Sequence, residues 1–295
     1  MGGDLSRLRH LARWAYTYGV RWRAIFLLGA LLPSCSETPV ERVFPASPVP
    51  VVDASDAHAD APVVPDTGAP DAQAPCPVDM VALDSFCIDR FEAYVVEIDA
   101  LNVEREHSPY ARIDGLRVRA KAAAKHVPQG YISQVEAVSA CNEAGKRLCS
   151  KSEFSRACRG KDGQRYYPYG GTSKKQGVCN EGKGSTVARL FGGDSSAWTY
   201  SNFNDPRLNQ LSNTLAASGE YAGCVTDEGV YDLVGNLHEW ASDVPDAKGH
   251  GRFRGGFYGD AEVNGHGCLY ETTAHEPSYH DYSTGFRCCV DALAP

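Results

Sequence analysis

The sequence predicts an α+β fold that is rich in disulfides and in irregular chain. Three observations carry that expectation. Two segments open with the reciprocal capping pattern of short helices, Ser133 with Glu136 and Ser150 with Glu153. Short apolar runs bounded by turn residues read as strands at both ends of the folded region. Eleven cysteines in 295 residues are many for a reduced cytosolic protein and suit an exported one, where disulfides persist.

The N-terminus agrees with export. Arg7, Arg9, Arg13, Arg21 and Arg23 precede the apolar run 24–32, a signal-peptide pattern too short to anchor a protein by spanning a bilayer. Leu32-Pro-Ser-Cys35 then resembles a bacterial lipobox, with Cys35 as the lipidated residue. Pro33 departs from the small or β-branched residue usual there, and a secreted form cut nearby is the alternative. The expected location is the bacterial cell envelope, with membrane contact through the lipid alone. Residues 36–75 are dominated by Ala, Pro, Asp and Val, with Arg42 as the one Lys or Arg. Too little apolar surface is present to offset the entropy of ordering them, so they read as an extended tether. The net charge of −8 gives no reason to expect nucleic acid as a partner.

The folded domain is expected over residues 76–295. Residues 76–94 read as two short strands around a turn at Asp84-Ser85, and 97–127, basic and poor in large hydrophobics, as an exposed loop. The helix over 133–145 places Val138 and Cys141 on one face with Val135 nearby, and Gly145 closes it as a left-handed cap. A second helix runs from Ser150 to about Cys158. Residues 159–229 show little periodicity, and so much irregular chain calls for cross-links or bound cations to hold it. Residues 252–290 read as short strands between loops.

The stretch Gly229-Val-Tyr-Asp-Leu-Val-Gly-Asn-Leu-His-Glu-Trp-Ala-Ser-Asp243 is the centre of this arrangement. Its glycines allow a turn and close backbone approach, while Asp232 and Glu239 offer oxygen ligands of the kind a hard cation takes.

Several blocks follow one another in a specific order. They are Cys87-Ile-Asp-Arg-Phe-Glu92, Ala140-Cys-Asn-Glu-Ala-Gly-Lys-Arg-Leu148, Ser152-Glu-Phe154, Ala157-Cys-Arg-Gly160, Tyr167-Pro-Tyr-Gly170, Cys179-Asn180, the central stretch, Arg254-Gly-Gly256 and Gly285-Phe-Arg287. Together they resemble the formylglycine-generating enzyme, or sulfatase-modifying factor, family over about Cys76 to Val290. The resemblance implies that family's variant of the C-type-lectin fold, with mixed small sheets, two helices and much irregular structure. The family's characterised enzymes oxidise a sulfatase cysteine to formylglycine with copper and dioxygen. Their copper sits on two cysteines spaced five residues apart after Arg-Gly-Gly, a soft thiolate pair suited to Cu(I). Here Asp260 and Gly265 stand at those positions, Phe257 replaces the family's Ser, and His238 replaces its Trp. Copper is therefore not expected.

The resemblance also implies Cys141–Cys288 and Cys158–Cys268 pairs. The other six of the ten, Cys76, Cys87, Cys149, Cys179, Cys224 and Cys289, allow 15 pairings. Proximity favours Cys76–Cys87. Cys179–Cys224 would clip the irregular stretch, leaving Cys149–Cys289 beside Cys141–Cys288. The central stretch matches the family's calcium site, which implies structural calcium held by Asp232 and Glu239 carboxylates and by Gly235 and Leu237 carbonyls.

Two functions follow as expectations. The first is a non-catalytic, surface-tethered binding or structural module, with a protein or glycan ligand at the C-terminal loops, where His238, Asp260, His266, Tyr279, His280 and Tyr282 are ligand candidates. The alternative is a formylglycine-generating-type or other metal-dependent oxidase acting on a protein cysteine through an altered site of His238, Asp260, Glu262 and His266.

Overall fold

The computed structural model describes residues 76–244 and 246–293. The leader, Cys35 and the tether lie outside the described residues. Strands β1 (Met80–Leu83) and β2 (Phe86–Asp89) form an antiparallel hairpin in the register Leu83↔Phe86, closed by Asp84 at φ 52°. The segment 97–127 differs from the exposed loop expected of it. Strands β3 (Ala93–Ile98), β4 (Glu104–Glu106) and β5 (Val118–Ala122) make a sheet of order β4-β3-β5. Val118, Ala120 and Ala122 alternate inward with period two, a signal carried by small residues and therefore easy to miss. The edge strand β4 is exposed and charged, which suits an unpaired sheet edge.

Helix α1 (Gln134–Glu143) starts at Ser133 with both halves of the capping box in place. Its core face is Gln134, Ala137, Ala140 and Cys141, whereas Val135 and Val138 are 58% and 37% exposed. Small alanines let the helix lie close against Val118, Trp240 and Phe286, so the larger valines fall on the outer face. β6 (Arg147–Leu148) follows, and then α2 (Lys151–Arg159) with its own capping box at Ser150. The irregular region contains two short helices, α3 (Thr186–Phe191) and α4 (Tyr200–Phe203).

The last strands are β7 (His238–Ala241), β8 (Arg252–Arg254), β9 (Glu271–Thr272), β10 (Thr284–Phe286) and β11 (Cys288–Asp291). They complete a sheet of order β10-β7-β8-β9 and extend the first hairpin to β1-β2-β11-β6. β7 is buried along its whole length and pairs parallel with β10, Thr284↔His238. Trp240 packs on Phe253 at 3.9 Å between centroids and donates from Nε1 to Ile132 O at 2.9 Å.

Five disulfides hold the described chain: Cys76–Cys87, Cys141–Cys288, Cys149–Cys289, Cys158–Cys268 and Cys179–Cys224. Adjacent strand residues point to opposite faces, so Cys288 reaches α1 while Cys289 reaches the residue after β6. The Cys179–Cys224 bridge closes a 45-residue separation within the irregular region, and such a cross-link contributes about 2–4 kcal/mol.

Candidate functional site

The turn before β7 is set by its backbone. Gly235 lies at φ +79°, and a Cβ there would fall 2.2 Å from Asn180 O, so only glycine fits. Asn236 follows at φ 57° and knits three segments. Its N–H donates to Asn180 O at 2.8 Å, its Oδ1 accepts from Asn180 Nδ2 and Ala216 N, and its Nδ2 donates to Glu92 and Ala216 O.

That turn sits over buried charge. Glu92 Oε1 accepts the Leu237 N–H at 3.0 Å, and Asp232 Oδ2 accepts the Gly219 N–H at 2.7 Å. Glu239 is bound by Arg287 through Nη2 at 2.8 Å and Nε at 3.1 Å. Arg287 is fully buried and also donates to Asp89 O and Tyr231 O. Three buried carboxylates thus share one guanidinium. Burial, then the Asp232 and Glu239 charges, push the Glu92 carboxyl well up. Burial, with smaller contributions from Glu239 and Glu220, pushes Asp232 up to about 6. Glu92 and Arg287 stand in the quoted motifs, yet spacing alone assigns them no role. Only the fold brings them to their partners, with Glu92 meeting Leu237 across a separation of 145 and Arg287 meeting Asp89 across 198.

His238 lies in a box of rings. Phe253, Phe257 and Tyr270 stand 5.4, 4.9 and 5.2 Å from its centroid, and its Nδ1 is buried with no hydrogen-bond partner. Burial, with a smaller effect from His275, drives its pKa down to about 3, so the imidazole is neutral. Asp260 turns back on its own loop, accepting the N–H groups of Glu262 and Val263. His266 is exposed and its Nδ1 lies 2.5 Å from Glu262 Oε2. No hydrogen bond joins His238 to Asp260 or His266. Among the described residues no group of three or more His, Cys, Asp or Glu side chains is arranged to hold a metal ion.

The remaining loop candidates are held by neighbours. Tyr279 stacks on His275 at 3.6 Å and donates to Asp281 Oδ2 at 2.6 Å. His280 Nδ1 meets Asn204 Oδ1 at 2.8 Å. Tyr282 is buried beside Tyr131, Phe257 and Tyr258, so its ring belongs to the core instead of presenting itself to solvent.

A model of the sulfatase-modifying factor enzyme 1-like domain matches residues 59–292. The chain belongs to that family. A formylglycine-generating enzyme of Thermomonospora curvata is 28% identical over 188 residues, 56% of this chain and 56% of that protein, so the match spans little more than half of the relative. Among solved structures, CarF is similar at 17% identity with a TM-score of 0.43, covering 71% of this chain and 87% of that one. A Major Tropism Determinant I1 variant is similar at 13% identity and a TM-score of 0.41, covering 75% and 54%. These likenesses concern the fold alone.

In this sulfatase-modifying-factor domain, the substitutions that the resemblance implies at 238 and 257 meet in space: His238 and Phe257 pack against each other. Of the two positions that the resemblance matches to the copper cysteines, Asp260 and Gly265, the second lies at φ +113° with a Cβ position 2.7 Å from Leu269 O. All ten described cysteines are in disulfides. The residues present do not fit a thiolate-bound Cu(I). Near the central turn, Glu92, Asp232 and Glu239 are buried close to one another with the Arg287 guanidinium beside them.

Proposed function

We propose that this sulfatase-modifying-factor domain is an exported, lipid-anchored module that binds a ligand or supports a surface structure without redox catalysis. One observation carries it: every described cysteine is committed to a disulfide, and the positions that the resemblance matches to the copper cysteines hold Asp260 and Gly265. Export is supported by that disulfide density. No helix among the described residues is long and apolar enough to cross a membrane. Anchoring is assigned to Cys35, on the resemblance of Leu32-Pro-Ser-Cys35 to a lipobox, and spacing from the surface to residues 36–75.

Calcium is the proposed structural ion, held by the Asp232 and Glu239 carboxylates and the Gly235 and Leu237 carbonyls. It would supply positive charge where Glu92, Asp232 and Glu239 outnumber Arg287. The ligand is assigned to the C-terminal loops, residues 258–284. The test is metal analysis of aerobically purified protein together with oxygen consumption in the presence of a cysteine-containing peptide. Calcium without turnover supports the proposal. Stoichiometric copper or iron with turnover replaces it by an oxidase.

A further inference from the structure

The loop 262–268 faces the segment 166–174 across a cleft of about 520 Å³ lined by Tyr166, Tyr167, Thr172, Lys174, Glu262 and His266. The depression is open to solvent, so a ligand would lie across its surface. Its walls are fixed to each other. Cys268 N–H donates to Tyr166 O at 2.8 Å, and Tyr167 OH donates to Glu262 Oε1 at 2.9 Å. Gly267, at φ +53°, lies so near that a Cβ would fall 2.3 Å from Tyr166 O. Tyr169 backs the Tyr167 ring in a parallel stack at 5.3 Å. A ligand therefore meets groups already in place, which lowers the ordering cost of binding.

The charges in the cleft narrow the ligand's chemistry. His266 Nδ1 is engaged by Glu262, which leaves Nε2 of this exposed ring for a ligand. Lys174 Nζ lies 2.5 Å from Glu181 Oε2 and 3.9 Å from Glu262 Oε1. One lysine and one histidine thus face two carboxylates, so there is no cationic excess for a phosphate or sulfate. Neither wall contains a strand, so an extended peptide finds no edge to pair with. What remains is the half-buried ring of Tyr166 beside an exposed Thr172, an ammonium and an imidazole nitrogen. That combination suits an uncharged ligand with an apolar ring face and many hydroxyls.

We infer that the cleft between 166–174 and 262–268 is a saccharide-binding site. The inference rests on the non-catalytic proposal above, in that the sugar is bound and released unchanged.

Isothermal titration of the full chain with neutral trisaccharides of glucose, mannose, galactose and N-acetylglucosamine tests it, with mass spectrometry of the recovered sugars. At least one trisaccharide is expected to bind saturably. His266→Ala and Thr172→Val, both surface changes, each weaken it by about tenfold, the effect of one lost hydrogen-bonding group. Glu106→Ala on the β4 edge leaves affinity unchanged. Failure of all four trisaccharides to bind overturns the inference, as does binding that is indifferent to both cleft variants. Chemically altered sugar with cleft-dependent binding retains the site and overturns the non-catalytic proposal instead.

Discussion

Phe257 packs against His238 with ring centroids 4.9 Å apart, and both side chains are buried. The resemblance matches Phe257 to a small serine and His238 to a large tryptophan, which would exchange volume across a single contact. Phe257→Ser alone leaves a cavity and is expected to cost about 3–5 kcal/mol. His238→Trp alone overpacks the box and costs about 1–3 kcal/mol. The double variant is expected to be more stable than the sum of the two losses, because each change makes room for or fills the other. Urea unfolding of the four proteins measures this, and strict additivity would separate the two positions.

His238 also sets a pH dependence. Its folded pKa is held near 3 by burial, against an ordinary value of 6.5. Between those values the unfolded chain binds a proton that the folded chain does not, so this residue's contribution to stability falls as pH drops from 6.5 towards 3. Each unit is worth about 1.4 kcal/mol. Comparison with His238→Phe at pH 7 and pH 4.5 isolates it. The wild-type loss is expected to exceed the variant's by roughly 2–3 kcal/mol.

Putting cysteines back does not rebuild a copper site. Gly265 adopts φ +113°, where an L side chain is strained, and its Cβ would meet Leu269 O. The Asp260→Cys/Gly265→Cys protein is expected to melt below wild type and to take up no stoichiometric Cu(I) against a chromophoric chelator. Tight uptake would show that the loop can return to the family's geometry.

The sequence was most legible where a local rule governs. The capping boxes at Ser133 and Ser150 start helices there because the pattern is satisfied within four residues. The hairpin turn at Asp84-Ser85 is equally local. Strand β5 was hidden because its inward residues are one valine and two alanines, which carry little hydrophobic contrast. Val135 and Val138 are exposed because the packed face of α1 is Gln134, Ala137, Ala140 and Cys141, whose mostly small side chains allow close approach. Glu92 and Arg287 were legible as motif members but not as a charge cluster, since their contacts join residues separated by 145 and 48 positions. The aromatic box around His238 was hidden for the same reason, because Phe253, Phe257 and Tyr270 reach it only through the fold.

Arg287 is the obligate partner of that cluster. It is fully buried, binds both oxygens of Glu239 and donates to two backbone carbonyls. Arg287→Met leaves buried carboxylate unpaired and is expected to cost about 3–5 kcal/mol. Adding Glu239→Gln should recover part of the loss, because one of the unpaired charges is removed. Thermal melts of the single and double variants check the sign, and a double variant worse than Arg287→Met would show that Glu239 is stabilised by some other group.

Calcium should act on the same cluster with a sign that distinguishes binding from general stabilisation. Without calcium, the Asp232 charge is unfavourable, because burial and the neighbouring carboxylates hold its pKa up at about 6. Asp232→Asn removes that charge and keeps an oxygen for the Gly219 N–H, so in chelator the variant should melt above wild type at pH 7. Added calcium reverses the order. A hundredfold excess over Kd contributes about 2.7 kcal/mol, which raises the wild-type Tm by roughly 5–10 °C in a domain of this size. The variant lacks one anionic ligand and should shift much less. If both proteins rise equally with calcium, the ion binds elsewhere. If neither rises, the excess buried charge is balanced by protonation of the carboxylates instead.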